Sequence, residues 1–210
     1  MSVEIPQYEY VESGEISSNS YLLPVLRKCL RGCAEPILDL GCGNGWIARQ
    51  LIDSGLNVYG VDASVSGVQI AHNAAPGHFF ELDVQSGRLP PELESISFNT
   101  VISTEVIEHL YDPRSFVDFA KRILGKDGRT GGRLILTTPY HGYLKNLMLA
   151  ITGHMDAHFT ALWDGGHIKF FSRLTLESLL VERGFVIDRF EGAGRLPYLW
   201  KSMVVAARLP

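Results

Sequence analysis

The most constraining feature of this chain is a short apolar segment that runs directly into a glycine-rich turn. Residues 36–45 read PILDLGCGNG. The apolar residues 37–40 predict a buried parallel strand, and glycines at 41, 43 and 45 allow a sharp turn that approaches a ligand closely. The spacing differs from the dinucleotide pattern G-x-G-x-x-G, and Asp39 beside the turn would repel a diphosphate. The turn therefore favours a ligand that carries a cationic amino group and a sulfonium.

Predicted strands and helices alternate along most of the chain, whose 210 residues suit one domain. This alternation predicts an α/β fold with a parallel sheet, in which the carboxyl ends of the strands meet at one ligand-binding edge. Further strands are predicted at 57–61, 78–82, 98–103, 131–137, 185–190 and 201–208. Helices are predicted at 18–30, 46–54, 65–73, 116–124, 143–152 and 173–183.

Acidic residues follow the second and third predicted strands. Asp62 is placed to accept two hydrogen bonds from ribose hydroxyls, and Asp83 can meet the exocyclic amine of an adenine. A glycine turn alone is also typical of any tight strand-to-helix connection. Together with aspartates at the ends of three consecutive strands, it indicates a binding site for an adenosine-containing ligand.

The segment ILDLGCGNGWIARQL resembles the cofactor-binding motif of class I S-adenosylmethionine-dependent methyltransferases, and the resemblance continues through GVDAS, ELDV and VISTEVIEHL. It implies a Rossmann-like, seven-stranded, mostly parallel sheet with helices on both faces and an antiparallel last strand. The implied cofactor contacts divide by the part of S-adenosylmethionine that they touch. They are Gly41, Gly43 and Gly45 under the methionine part, Asp39 near its amino group, Asp62 with Ala63 at the ribose, Asp83 and Val84 at the adenine, and Thr104 after strand four.

A cluster of acidic and histidine side chains follows the fourth predicted strand. On a helix, Glu105, Glu108 and His109 would share one face, because their spacings are three and four residues. Two carboxylates and an imidazole suit a divalent ion, and His167 is a candidate fourth ligand because Gly165 and Gly166 allow close approach. The alternative is that Glu105 orients the cofactor pocket and that His109 or His167 is a general base.

The Glu-x-x-Glu-His set resembles that of the ubiquinone-pathway O-methyltransferases, within the methyltransferase type 11–12 group, and that of the small-RNA 2′-O-methyltransferases. The resemblance implies a divalent ion, Mg²⁺ or a similar metal, at Glu105, Glu108, His109 and His167. A metal that chelates a diol or catechol would make its oxygen a better nucleophile. We therefore expect O-methylation of a small molecule, with RNA 2′-O-methylation, N- or C-methylation and non-catalytic cofactor binding as alternatives.

Two flanking segments are expected to complete the single domain of residues 1–210. Residues 1–31 form a helical cap, and residues 139–172 form an insertion that covers the methyl acceptor. Aromatic residues in the insertion suit an apolar or aromatic acceptor, although Phe170 and Phe171 favour a place in the core.

Charge and cysteine content limit the partners and the compartment. The net charge of −4 and the absence of a basic segment argue against a nucleic-acid partner. No apolar run is long enough for a membrane span. Three cysteines without a framework spacing predict reduced thiols in a cytoplasmic protein. The oligomeric state is left open.

Overall fold

Seven strands form one mixed sheet in the computed structural model, which describes residues 9–15 and 18–210. The strands are β1 (Ile37–Leu40), β2 (Val58–Asp62), β3 (Phe79–Glu81), β4 (Thr100–Thr104), β5 (Arg133–Pro139), β6 (Val186–Ala193) and β7 (Ser202–Arg208). Their order is β3-β2-β1-β4-β5-β7-β6. β1 to β5 pair in parallel, and β7 is antiparallel to both β5 and β6. The Rossmann-like sheet with an antiparallel last strand is therefore confirmed.

Helices cover both faces of this sheet, as the family resemblance implies. They are α1 (Asn19–Leu30), α2 (Trp46–Ile52), α3 (Val65–Ala74), α4 (Pro91–Glu94), α5 (Pro113–Leu124), α6 (Tyr143–Ile151), α7 (Met155–Phe159) and α8 (Arg173–Glu182). α1, α2 and α3 pack with Ile37 and Ile102 in one apolar cluster. α5 and α8 pack with Leu38 and Val101 in a second cluster on the other face. Side chains alternate across a strand, so neighbouring residues of β1 and β4 feed opposite layers.

Differences from the predicted helices concern helix ends and two short helices. α5 begins at Pro113 rather than at residue 116, because Asp112 accepts a hydrogen bond from the backbone N–H of Ser115 and proline is favoured in the first turn. α2 ends at Ile52, two residues early. The short helices α4 and α7 were not predicted, because four or five residues show no full helical period.

The flanking segments are only partly described. α1 packs against the sheet through Leu22 and Leu26, and residues 1–8 and 16–17 of the predicted cap lie outside the described residues. α6 and α7 belong to the predicted insertion at 139–172, whose role in covering an acceptor stays a prediction. No helix in the described ranges combines the length and apolar character needed to cross a membrane.

The sheet order creates a crevice at the carboxyl end of β1. The chain leaves β1 toward β2 on one side and returns as β4 on the other side. Loops that follow β1 and β4 therefore diverge, which is where open α/β sheets bind ligands. The turn at 41–45 and the cluster after Thr104 face this crevice together.

Candidate active site

The glycine turn after β1 has a backbone that only glycine accommodates easily. Gly41, Gly43 and Gly45 have positive φ angles of 83°, 55° and 72°. A Cβ atom on Gly41 would lie 2.4 Å from Cγ2 of Val106, and one on Gly43 would lie 2.6 Å from the hydroxyl oxygen of Tyr10. The turn is thus packed tightly between the β4 loop and the N-terminal segment.

Asp62, at the end of β2, ties the turn to the second strand. Its Oδ2 accepts a hydrogen bond from the backbone N–H of Gly43 at 2.7 Å, and its Oδ1 accepts one from Ser64 at 2.8 Å. Burial raises the pKa of Asp62, and these backbone hydrogen bonds oppose that rise. Each carboxylate oxygen has a second lone pair, so the side chain can shape the turn and still accept from a ligand.

Asp39 is a fully buried carboxylate without a hydrogen bond from any described residue. Burial, and next the charge of Asp62, raises its pKa to about 8. Asp39 lies beneath the turn and does not line the cavity, and neither does Gly45. Direct contact between Asp39 and the amino group of a ligand therefore stays a prediction.

One cavity of about 2280 Å³ joins most of the predicted cofactor residues. Its wall includes Gly41 and Gly43 as well as Asp62, Ala63, Asp83, Val84 and Thr104. Asp83 is exposed, and its Oδ1 accepts a hydrogen bond from Gln85 at 2.8 Å. Tyr10 lines the same cavity and donates its backbone N–H to Ser66. The cavity thus runs along the ends of β1 to β4.

The predicted helix through Glu105, Glu108 and His109 is wrong. Glu105 has a positive φ of 54°, and a 3-10 turn of only three residues follows at Ile107–His109. The carboxylate of Glu105 accepts hydrogen bonds from the hydroxyls of Thr137 at 2.8 Å and Ser202 at 3.0 Å. It thereby links β4, β5 and β7, and burial raises its pKa to about 7. The long-range strand contacts override the helical spacing.

Glu108, His109 and His167 do converge. One ligand atom from each lies within 4.8 Å of the others, and Glu105 is not part of that group. The rings of His109 and His167 have centroids 4.9 Å apart. The carbonyl of Glu108 accepts hydrogen bonds from the backbone N–H groups of Ile168 and Lys169, both at 2.9 Å, and this pairing holds His167 against the 3-10 turn.

The protonation of this group follows from its surroundings. Burial, and next the charge of Glu105, raises the pKa of Glu108 well above its ordinary value. Burial lowers the pKa of His109, and it lowers that of His167 to about 4. Nδ1 of His109 lies 3.0 Å from the carbonyl oxygen of Gly165. Because a carbonyl only accepts, Nδ1 carries the proton and the lone pair of the neutral ring is at Nε2.

The segment after β5 forms another wall of the cavity. α6 and α7 contribute Lys145, Met148 and His158, and the loop that follows contributes Trp163. Phe171 is buried, as the sequence predicts for a core residue. Phe170 is 46% exposed and meets the rings of His141 and Phe159 edge-on, so the prediction of a core position is wrong for this residue.

Several residues that shape the site were not predicted. They are Val106 against Gly41, the hydroxyls of Thr137, Thr138 and Ser202, and the basic residues Lys145 and Arg195. Thr138 donates to Oε2 of Glu108 at 3.0 Å. The polar pair Thr137-Thr138 near the end of an apolar strand is a usable sequence pattern, because strand ends meet at the binding edge. Ser202 has no such pattern, since its strand runs antiparallel.

Comparisons with known proteins agree with this geometry. A family model described as a methyltransferase domain matches residues 21–189. The ubiquinone biosynthesis O-methyltransferase of Ruegeria sp. is 30% identical over 171 residues, which are 79% of this chain and 66% of that protein. The mitochondrial enzyme of the same name from Schizosaccharomyces pombe is 27% identical over 79% of this chain and 60% of that protein. This chain spans roughly half to two-thirds of the length of such curated relatives.

Solved structures share the fold. Magnesium protoporphyrin IX methyltransferase from Synechocystis with bound SAH superposes with a TM-score of 0.64 at 21% identity, covering 90% of this chain and 82% of that one. An S-adenosylmethionine-dependent methyltransferase from Mesorhizobium loti gives a TM-score of 0.65 at 20% identity over 88% of this chain and 96% of that one. Family match and fold agree, and the chain belongs to the class I S-adenosylmethionine-dependent methyltransferases.

Proposed function

We propose that this protein transfers a methyl group from S-adenosylmethionine to an oxygen atom of a small molecule. The observation that carries the proposal is a single cavity that touches both the glycine turn and the histidines His109 and His167. The names of the relatives, ubiquinone biosynthesis O-methyltransferases, support oxygen as the acceptor atom. The identity of the acceptor molecule is a separate proposal, because this chain spans only part of the length of those relatives.

The residues of the cavity fit the cofactor. When bound, S-adenosylmethionine supplies an electrophilic methyl group on a positively charged sulfur. The turn at Gly41 and Gly43 lets the backbone approach it, Asp62 accepts from ribose hydroxyls, and Asp83 with Val84 flanks the adenine. Asp39 beneath the turn favours a cationic ligand, because a nearby positive charge stabilises the ionised form of its buried carboxyl, whereas a diphosphate has no such effect. Thr104 and Ala63 complete the wall between these groups.

A divalent ion is a further part of the proposal. Glu108, His109 and His167 offer one oxygen and two nitrogen donors, a set that suits Mg²⁺ less well than Mn²⁺ or Zn²⁺. Such an ion would lower the pKa of an acceptor hydroxyl. Glu105 is left out of the ligand set, because Thr137 and Ser202 already hold its carboxylate. In our proposal Glu105 positions the ends of β4, β5 and β7.

Without a metal, the same histidines offer a base. Burial keeps the pKa values of both rings below neutrality, so the rings are uncharged near pH 7 and can accept a proton. Nε2 of His109 is the accepting atom, because its Nδ1 donates to the carbonyl of Gly165. The metal and base versions differ in their sensitivity to chelators.

An acceptor screen with methyl-labelled cofactor tests the proposal. We expect label in catechols or vicinal diols and none in matched amines or carbon nucleophiles. Turnover that EDTA abolishes and added Mn²⁺ restores supports the metal version, whereas turnover insensitive to EDTA supports the base version. Label that enters only nitrogen or carbon acceptors would contradict O-methylation.

The predicted cytoplasmic location stays a prediction.

A further inference from the structure

The acceptor wall of the cavity contains a buried cation. Lys145, in the first turn of α6, is only 7% exposed and lines the cavity. Its ammonium group has three N–H donors. Among the described residues it donates one hydrogen bond, of 3.3 Å, to the backbone carbonyl of Lys201. No carboxylate of the described ranges forms an ion pair with it. A buried ammonium with so few hydrogen bonds and no ion pair lowers the stability of the folded protein.

The surroundings of Lys145 add positive rather than negative charge. Burial, and next the guanidinium of Arg195, lowers the pKa of Lys145 to about 8, and Glu105 opposes this only in part. Burial and then Lys145 also lower the pKa of His141 and His158 on the same side of the sheet. The amino end of α6 carries a positive partial charge that disfavours a lysine in its first turn.

Arg195 is the second cation of this wall. It follows β6, is exposed, and lines the cavity together with Lys145. The acid that opposes the effect of these surroundings on Lys145 is Glu105, whose two oxygens are held by Thr137 and Ser202. Lys201 lines the same cavity, with its ammonium over the ring of Tyr21. No carboxylate of the described residues forms an ion pair with Lys145 or Arg195.

We propose that the methyl acceptor carries an anionic group, a carboxylate or phosphate, that binds between Lys145 and Arg195. This inference rests on the proposed function. The carboxylate of the cofactor is the other anionic group that Lys145 and Arg195 would suit. The position favours the acceptor, because the cofactor residues other than Thr104 follow β1, β2 and β3, whereas α6 follows β5 on the far side of β4. The anion would neutralise Lys145 and orient the hydroxyl toward His109 and His167.

Two probes of similar shape, one anionic and one neutral, test this proposal. Binding of 3,4-dihydroxybenzoate and of 3,4-dihydroxybenzamide is measured by calorimetry on the complex with S-adenosylhomocysteine and Mn²⁺. We expect the carboxylate to bind at least about tenfold more tightly, and Lys145→Met to abolish that preference while leaving the affinity for the amide unchanged. Arg195→Gln should reduce the preference. Lys126→Met, at the opposite edge of the sheet, is the matched control and should keep it.

The outcomes separate this inference from the proposed function. Equal binding of both probes, or binding of neither, overturns the anionic acceptor even where neutral diols are methylated. A Lys145→Met variant that loses affinity for S-adenosylhomocysteine instead assigns Lys145 to the cofactor and also overturns it. Charge-dependent binding that requires Lys145, without label transfer to any oxygen, supports the anion site and contradicts the proposed reaction.

A measurement without any acceptor gives a second check. If the cation of Lys145 is uncompensated, Lys145→Met should raise the melting temperature of the ligand-free protein by at least about 2 °C, because methionine fills similar space without a buried charge. Lys126→Met should leave it unchanged. A lower melting temperature in Lys145→Met would show that the protein itself compensates the charge, and would count against the proposal.

Discussion

At the scale of single residues, the site is built from carboxylates that have been removed from water. Asp39 and Glu108 are both 0% exposed, and each has at least one oxygen without a hydrogen bond from the described residues. Burial is the main cause that raises the pKa of each. Such groups lower the stability of the ligand-free protein, and a bound cation relieves them. The positively charged sulfonium and a divalent ion are both ligands of this kind.

The effect of burying the Asp39 carboxyl can be tested by comparing the pH dependence of the free energy of unfolding of the wild type and of Asp39→Asn. A carboxyl whose pKa is raised from 3.8 to about 8 on folding binds more protons in the folded state, so the free energy of unfolding falls as pH rises between those values. The slope from this one group reaches at most about 1.4 kcal/mol per pH unit. Urea titrations at pH 5 and pH 8 should show that Asp39→Asn is more stable than the wild type at pH 8, with a smaller difference at pH 5.

The exposed Asp53→Asn variant is the control, and its difference from the wild type should not depend on pH. If Asp39→Asn destabilises the protein more at pH 8 than at pH 5, the carboxylate is compensated in the folded state and our account of Asp39 is wrong.

At the scale of elements, two segments that follow different strands are held together by hydrogen bonds that no local pattern specifies. The loop after β4 carries Glu108 and His109, and the chain after α7 carries His167. The carbonyl of Glu108 accepts from two successive N–H groups of that chain. The 3-10 turn at Ile107–His109 is short, so its side chains are positioned by this contact rather than by a helix.

His167→Ala tests the proposed convergence. We expect it to weaken Mn²⁺ binding by more than about tenfold, because it removes one of three donors while the other two stay in place. Electron paramagnetic resonance of free Mn²⁺ measures this directly and needs no acceptor. His72→Ala, on the exposed face of α3, is the matched control. Equal Mn²⁺ affinity in both variants would remove His167 from the metal site.

At the scale of the whole molecule, one cavity extends along the carboxyl edge of the sheet. It runs from β3 across β2, β1 and β4 to α6, so cofactor and acceptor residues share a single wall. α1, α2 and α3 cover one face of the sheet, and α5 and α8 cover the other. A ligand that spans the edge therefore contacts loops from most parts of the fold and should stabilise it as a unit.

S-adenosylhomocysteine should therefore raise the melting temperature. At a concentration one hundred times its Kd it adds about 2.7 kcal/mol to the free energy of unfolding, which for a chain of this length corresponds to roughly 5–10 °C. NAD at the same concentration should have no such effect, because the buried carboxyls of Asp39 and Asp62 offer a diphosphate no positive charge and repel it when they ionise. Differential scanning calorimetry measures both shifts, and a larger shift with NAD would contradict the cofactor assignment.

The sequence by itself determined the strand order along the chain, the two-layer core and the cofactor turn. These are local properties: hydrophobic periodicity marks β1 and β4, and the positive φ of Gly41, Gly43 and Gly45 requires the residue type found there. The sequence also predicts that His167 lies close to His109, because Gly165 and Gly166 allow close approach, and the two ring centroids are 4.9 Å apart. Only the tertiary structure decided the roles of Glu105 and Lys145. Glu105 follows its strand partners Thr137 and Ser202 instead of a helical period, and Lys145 is buried by contacts distant in the chain. Burial and unpaired charge arise from long-range packing, which a local pattern of residues does not encode.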